Sequence, residues 1–415
     1  MTSRERLRKA IRHQPTDRPP LDLGSTLVTG IQAGAYARLK QALGIHTGPV
    51  RVYDPFQMLA EVEEPVKRLL GIDTVGIQLP TTMFGYRNEG WKPFTMFDGT
   101  VVEMSAHFQF DEQPDGSIVQ YPRGDRTAPP SGRMPRGGYY FDAIVRQEPI
   151  VEESLDPKEW VEQTYALYTD EELRFIEETS RRWYEGSDYG LVGNFWGAGF
   201  GDIATVPGPG IPHPRGIRDP EEWYVSTLTR REYVREIFHL QLELQMKNLK
   251  LYREAAGDRI DVVVMSGTDF GSQNGPFISP DAYRDLFKPL HAEMNAWVHE
   301  HTEWKTFYHT CGSVVAFLDD FAEAGIDILN PVQVSAAGMA PEGLKQRYGD
   351  RFVFWGGAVD AQHTLAFGTP DQVRAEAVRN RRTFGTGGGF VYTNVHNIQA
   401  TVPTENMLAL FDGAK

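Results

Sequence analysis

Short apolar runs rich in β-branched residues alternate with amphipathic stretches of helical length along the second half of the chain. Two of the amphipathic stretches begin at a Ser-Pro or Thr-Pro pair, Ser279-Pro280 and Thr369-Pro370, a common helix start. Buried strands that alternate with helices of roughly 10–15 residues are typical of a parallel sheet. We predict five strands here, at Asp261–Gly267, Lys305–Gly312, Asp327–Gln333, Arg351–Val359 and Gly389–His396.

The first half contains three further runs of this kind, which we predict as strands at Pro19–Gly24, Thr74–Pro80 and Gly190–Gly197. Eight strand–helix units predict an α/β fold of the (β/α)8 TIM-barrel type, with an additional N-terminal helix. The alternative, a doubly wound open sheet that binds a dinucleotide, lacks its glycine-rich fingerprint after every predicted strand. We therefore expect residues 1–415 to form one barrel domain.

One segment interrupts this repeat between the second and third predicted strands. From Trp91 to Asp142, apolar and polar residues alternate between Asp-Gly turns. That pattern is typical of β-hairpins. We predict a hairpin-rich insertion over about 91–142, after strand 2 of the barrel.

Composition narrows the classes of function. The chain has 56 acidic and 42 basic residues and a net charge of −14, which disfavours nucleic acid or an anionic membrane as the main partner. Its single cysteine cannot form an intramolecular disulfide, and neither a signal peptide nor a membrane-spanning run is apparent. We expect a cytoplasmic protein, monomeric or homodimeric, that acts on a small molecule.

Polar side chains stand at the C-terminal ends of the predicted strands, where a barrel of this type places its chemistry. Asp269, in a glycine-rich loop, is a candidate catalytic acid or base, although Asp also shapes turns. Buried polar groups need partners, so the other side chains are predicted to bind substrate: Asp22, Gln78, Asn194, Trp196, Gln273 and Gln333.

The pair His309-x-Cys311 has the most specific chemical meaning. Residues i and i+2 on a strand share a face, so an imidazole and a thiol would both point into the barrel mouth. His396, at the end of the last predicted strand, is the best third ligand for a zinc ion, which takes three protein ligands in catalytic sites. The spacing alone also fits a buried, unreactive cysteine beside a hydrogen-bonded core histidine.

The chain resembles the methyltransferase-like branch of the uroporphyrinogen decarboxylase superfamily. The resemblance rests on the opening SRERLRKAIRHQPTDRPP and on DFGSQNGPFISPDAYRDLFKPLHAEM, YHTCGSVVAFLDDFAEAGIDILNPVQ, LKQRYGDRFVFWGGAVD and HNIQATVPTENMLALF. It implies a (β/α)8 barrel with zinc on the His309 and Cys311 pair, and a corrinoid carried by a partner protein. This branch has a second cysteine near the final strand, where this chain has His396, so one thiolate is lost and the metal should be the stronger Lewis acid.

The resemblance leaves several reactions to choose from. True decarboxylases of the superfamily bind a polyanionic tetrapyrrole through arginines after the first strand, but here no arginine follows that strand before Arg38. We therefore exclude uroporphyrinogen as substrate. The leading hypothesis is methyl transfer from a small methoxylated or methylated substrate to a corrinoid. The alternatives are a decarboxylase or lyase acting on a small acidic or polyhydroxy substrate, and a binding module without catalysis.

Overall fold

The computed structural model describes all 415 residues, with fifteen strands and fourteen α-helices. The strands are β1 (Val50–Asp54), β2 (Leu59–Ala60), β3 (Thr74–Ile77), β4 (Lys92–Thr95), β5 (Val101–Met104), β6 (Phe110–Glu112), β7 (Ile118–Gln120), β8 (Gly132–Met134), β9 (Asp142–Ala143), β10 (Gly190–Asn194), β11 (Val262–Ser266), β12 (Lys305–His309), β13 (Ile328–Asn330), β14 (Val353–Trp355) and β15 (Phe390–Val391).

The helices are α1 (Ser3–Ala10), α2 (Ala33–Ala42), α3 (Glu64–Leu70), α4 (Pro157–Thr164), α5 (Asp170–Gly186), α6 (Pro220–Thr229), α7 (Arg231–Ala256), α8 (Pro280–Leu286), α9 (Lys288–His301), α10 (Leu318–Glu323), α11 (Pro341–Tyr348), α12 (Thr364–Phe367), α13 (Pro370–Gly385) and α14 (Thr404–Gly413). Capping boxes begin α1, α5 and α13, where a threonine and the Glu or Gln three residues later satisfy each other's backbone N–H groups. None of the helices is long and apolar enough to cross a lipid bilayer.

A curled sheet of seven parallel strands forms the centre of the molecule, in the order β15-β14-β13-β12-β11-β10-β3. It contains seven of the eight predicted strands, which confirms the α/β class and the parallel sheet. Between the sheet and its helices lies a buried cluster of 83 apolar residues. A second cluster, inside the curl, includes Phe307, Trp355 and Val391 together with Leu7 and Ile11 from the first helical segment.

Helix α1 lies at the N-terminal ends of the strands. Leu7 contacts the start of β10, where the position of a Cβ on Gly190 would overlap the leucine side chain. The Ala10 carbonyl accepts the backbone N–H of Gly389, just before β15. The predicted N-terminal helix is therefore confirmed, and its apolar residues fill one end of the curled sheet. The opposite end, where the strands have their carboxyl termini, is left for polar groups.

The first predicted strand, Pro19–Gly24, is reduced to a single bridge between Leu21 and Tyr392. This segment still hydrogen-bonds to both edges of the sheet: Tyr392 N–H donates to the Pro20 carbonyl, and Asp73 N–H donates to the Leu21 carbonyl. The extended run is short because the Asp22 carboxylate accepts the Ser25 N–H, which turns the chain. The prediction of a full strand here is therefore wrong.

Residues 92–143 form six short strands in two sheets. The hairpin of β4 and β5 extends a sheet of order β2-β1-β5-β4, in which β1 and β5 are parallel. Strands β6 to β9 form a separate antiparallel sheet in sequence order. β1 and β2 were not predicted from the sequence.

Asp54, the last residue of β1, is expected to make stability depend on pH. Its buried carboxylate accepts the N–H groups of Phe56 and Gln57, and burial raises its pKa to about 6. The folded state therefore binds this proton more tightly than the unfolded state, whose pKa is about 3.9. The stability that Asp54 contributes is present at low pH and is lost as pH rises through about 6.

The measurement is denaturant unfolding of the wild type and Asp54→Asn at pH 5 and pH 7. The free energy of unfolding of the wild type, relative to that of Asp54→Asn, should be lower at pH 7 than at pH 5 by about 1 kcal/mol. Asp98→Asn, at an exposed aspartate of the neighbouring hairpin, is the control. Its free energy of unfolding should differ from that of the wild type by the same amount at both pH values. Parallel pH profiles for wild type and Asp54→Asn would contradict this assignment.

Candidate metal centre

His309, Cys311 and His396 meet at the C-terminal edge of the curled sheet. Their ligand atoms all lie within 4.8 Å of one another, and the Cys311 Sγ is 3.3 Å from the His309 Nε2. The rings of His309 and His396 have centroids 5.1 Å apart and are nearly perpendicular. The structure thus brings together the three residues that were predicted as metal ligands.

The local backbone differs from the prediction. β12 ends at His309, so Cys311 lies in the following turn and not on the strand. β15 ends at Val391, so His396 lies five residues beyond its strand. Both strands are shorter than predicted. The polar residues that follow them form hydrogen bonds with side chains and neighbouring turns, so they do not extend the backbone pairing of the sheet.

One thiol and two imidazoles suit Zn²⁺, which binds sulfur and nitrogen and in catalytic sites keeps a fourth position open. Burial lowers the pKa of His309 to about 4, and burial and the neighbouring His309 lower the pKa of His396 to about 3. Both imidazoles are therefore neutral at pH 7 and offer a lone pair. Burial and the nearby Asp269 raise the pKa of the Cys311 thiol, so it keeps its proton until a cation binds.

Asn330, the last residue of β13, orients the His309 ring. Its Nδ2 donates to the Trp355 carbonyl at 2.8 Å, which leaves Oδ1 as acceptor 2.6 Å from the His309 Nδ1. The proton of His309 must then sit on Nδ1, and its Nε2 lone pair faces Cys311. Metal-binding histidines usually donate the N–H of their second ring nitrogen to an acceptor of this kind. Asn330 was not predicted as a site residue, although its place at a strand end was a signal that could have identified it.

The turn that carries Cys311 is built by glutamines and glycines. Gly312 has a φ of +81°, and a Cβ there would overlap the backbone of Gly271. The Gln333 Oε1 accepts the Gly312 N–H at 2.8 Å, and its Nε2 donates to the Gln273 Oε1 at 2.6 Å. Gln273 in turn donates to the Ser335 carbonyl. Both glutamines, predicted to bind substrate, are thus engaged in holding this turn.

Two half-buried carboxylates lie near the Cys311 thiol. Asp269 accepts the Cys311 backbone N–H through Oδ1 at 2.6 Å, and burial raises the pKa of Asp269 to about 6. Asp202, in the loop after β10, has its pKa raised to about 6 by burial and by Asp269. The Tyr224 hydroxyl donates to the Asp269 carbonyl at 3.3 Å. Asp202 was not selected from the sequence, because it lies within a Gly- and Pro-rich loop without a strand end to mark it.

Asp22 and Asn194 both lie in the interior of the curled sheet. Asp22 accepts from the Thr74 hydroxyl at 2.7 Å and from the Trp355 Nε1 at 2.8 Å, so its carboxylate ties β3 to β14. Asn194 donates to the Ser25 carbonyl at 2.9 Å, but its buried Oδ1 has no partner in the protein. Asn194 therefore retains an acceptor for a ligand, whereas the Asp22 oxygens are already engaged.

Trp196 and Gln78 occupy different surroundings. Trp196 follows β10 with a φ of +61°, its ring lies against Gly267, and its buried Nε1 has no partner. Gln78 lies just beyond β3, where it lines a separate cavity between that strand and helices α3 and α5. No ligand of the candidate centre lines this cavity.

A curled parallel sheet with a His–Cys–His cluster at the carboxyl ends of its strands defines a TIM-barrel-like protein with a candidate metal centre. Residues 215–415 match the family model described as uroporphyrinogen decarboxylase (URO-D). All three candidate ligands lie within the matched range.

The chain is also similar to two methyltransferases. Over 208 residues it is 27% identical to the methylcobamide:CoM methyltransferase MtaA of Methanosarcina barkeri, an alignment that covers 49% of this chain and 58% of that protein. A solved structure of a methyltransferase from Methanosarcina mazei matches 100% of this chain and 98% of its own, with a TM-score of 0.55 and 17% identity. The second match shows the fold alone. Together the matches confirm the resemblance to the methyltransferase-like branch of the superfamily.

Proposed function

We propose that this protein is a zinc-dependent methyltransferase that moves a methyl group from a small methoxylated or methylated substrate to a corrinoid carried by a partner protein. The observation that carries the proposal is the convergence of His309, Cys311 and His396, with the His309 tautomer set by Asn330. The similarity to a methylcobamide:CoM methyltransferase supports the reaction class.

Zinc bound by the three side chains would supply Lewis acidity to a substrate atom at its open position. The chain's own contribution is the surrounding polar shell. Asn330 keeps the proton of His309 on Nδ1, and the glutamine-supported turn holds the Cys311 sulfur near the His309 Nε2. These contacts hold the His309 Nε2 and the Cys311 sulfur in place before a metal ion binds, which lowers the free-energy cost of ordering these two atoms.

Asp269 is the proposed acid. When a methyl group leaves as a cation equivalent, the substrate oxygen or nitrogen keeps the electron pair of the broken bond and takes up a proton. Asp269 is half-buried and lies against Cys311, and burial raises its pKa to about 6, closer to neutral pH than that of an ordinary carboxyl, which suits proton transfer. The unpartnered Asn194 Oδ1 and Trp196 Nε1 are proposed to bind and orient the substrate.

We also propose that the Pro19–Gly24 segment completes a (β/α)8 barrel. Its hydrogen bonds to both sheet edges and the Asp22 contacts to Thr74 and Trp355 support this closure. A single domain over 1–415, a cytoplasmic location and the monomeric or homodimeric state stay predictions.

The test is an anaerobic assay with reduced cobalamin and a panel of methanol, methoxybenzene and trimethylamine, in which absorbance reports methylcobalamin. We expect formation with at least one substrate, and loss of that signal in Asp269→Asn by roughly 100-fold if Asp269 supplies the proton. The control is Asp98→Asn, which should retain the activity of the wild type. Release of CO2 from acidic substrates without any methylcobalamin would instead support the decarboxylase alternative.

A further inference from the structure

A cavity of about 290 Å³ lies between β3 and helices α3 and α5, apart from the metal centre. Its walls include three aromatic side chains, Trp91, Phe175 and Trp183. This volume lies just below the roughly 300–1,000 Å³ range of small-molecule pockets. The cavity therefore suits a compound with one ring.

Two cations face this space without a partner. Lys67 on α3 and Arg182 on α5 both line the cavity, and neither side chain forms an ion pair or a hydrogen bond within the chain. Their immediate neighbours in sequence do: Arg68 pairs with Glu64, and Arg181 pairs with Glu177. Lys67 and Arg182 thus differ from these two neighbours in lacking an acidic partner.

Trp183 holds both cations over the cavity. The Lys67 Nζ lies 4.9 Å from the centre of the indole ring, and the Arg182 guanidinium lies 5.6 Å from it. Contact with an aromatic face stabilises a cation but leaves its N–H groups free to donate. Burial lowers the pKa of Lys67, which indicates that water solvates this ammonium group incompletely. An anion would supply the missing acceptors.

Charge in the cavity also favours an anion. Glu61 is the single acidic side chain among the lining residues, against the two cations, although the chain as a whole has a net charge of −14. The lining side chains therefore carry a formal charge of +1, two cations less one carboxylate, which favours an anion over a cation. Gln78 and Asn88 at its wall add neutral hydrogen-bonding groups.

We propose that this cavity is a second ligand site, which binds a one-ring aromatic carboxylate. The ring packs between the aromatic walls, and the carboxylate accepts from Lys67 and Arg182. The inference does not rest on methyl transfer, because no residue of the metal centre lines the cavity.

The experiment is a ¹⁹F NMR titration of the full chain with 4-fluorobenzoate. We expect saturable binding with a Kd of order 1 mM, reasonable for a ligand of about ten heavy atoms. Lys67→Met, which keeps an apolar stem, and Arg182→Met should each weaken binding at least about 5-fold. The neutral analogue 4-fluorobenzyl alcohol should bind more weakly than the acid by a similar factor.

Arg181→Met is the matched control, since this exposed arginine lies on the same helix but outside the cavity. It should leave the Kd unchanged. No saturable binding to the wild type, or equal weakening in Arg181→Met and Arg182→Met, would overturn the proposal. Zinc content and methyl transfer are measured on the same samples, so failure of this site and failure of the metal centre are distinguishable. Arg182 is exposed, so its variant remains informative if Lys67→Met does not fold.

Discussion

Replacing Cys311 by serine is expected to remove the bound zinc. The wild type should carry about one ion per chain, and the affinity of Cys311→Ser should fall by more than about 100-fold. The physical reason is that a serine hydroxyl does not ionise at neutral pH, so His309 and His396 would hold the ion alone. Elemental analysis after dialysis, followed by competition with a chromophoric chelator, measures both quantities. Methyl transfer should fall in parallel with zinc occupancy.

His363→Ala is the control for this experiment. His363 is an exposed histidine that pairs with Asp360 and lies outside the cluster, so its loss should leave the zinc content unchanged. Circular dichroism should show the same helix content in Cys311→Ser, because serine differs from cysteine by one atom. Full zinc retention in a folded Cys311→Ser protein would show that the sulfur is not a ligand.

Replacing Asn330 by alanine is expected to weaken zinc binding by roughly 10–100-fold without removing any ligand. The alanine cannot accept the His309 Nδ1 proton, so the ring can turn and the Nε2 lone pair is no longer held toward Cys311. Asn330→Asp should bind zinc nearly as well as the wild type, because a carboxylate still accepts from Nδ1. The same chelator competition gives the three affinities.

Asn380→Ala provides a matched comparison. Asn380 is also a buried asparagine whose amide donates to backbone carbonyls, those of Gly357 and Ala358, but it does not contact a candidate ligand. Its loss should lower the denaturation midpoint and leave zinc affinity unchanged. If Asn330→Ala lowers stability to a similar extent but binds zinc like the wild type, the role assigned to Asn330 is wrong.

The sequence predicted the sheet well because its strands are buried on both faces. Runs such as Val262–Ser266 and Lys305–His309 carry enough apolar, β-branched character to be found without knowledge of their neighbours. Strands β1 and β2 could not be found in this way. β1 pairs with β5, where Val50 lies opposite Val102, and β2 pairs only with β1, so the partners of this sheet are distant in sequence and leave little local pattern.

The residues of the candidate metal centre also differ in how well the sequence predicted their contacts. His309 and Cys311 were recognisable because their side chains have a specific metal chemistry at a short spacing. Gln273 and Gln333 were expected at the substrate, yet they bind each other and the turn at Gly312. A polar side chain at a strand end can serve a ligand or the protein's own backbone, and only the three-dimensional contacts distinguish the two uses. Asp202 was missed for a different reason, because it lies in a Gly- and Pro-rich loop away from any strand end.

The apolar residues of helix α1 close one end of the curled sheet, and this affects the order in which ligands can bind at the opposite end. Leu7 and Ile11 pack into the interior cluster at the N-terminal ends of the strands, so this end offers no passage. Under the proposed function, substrate and product share a single entrance with the corrinoid partner. A macromolecule docked there would block exchange, so the small substrate must enter before the partner binds and its product can leave only after the partner departs. The kinetics should then follow a compulsory order, with the small molecule binding first.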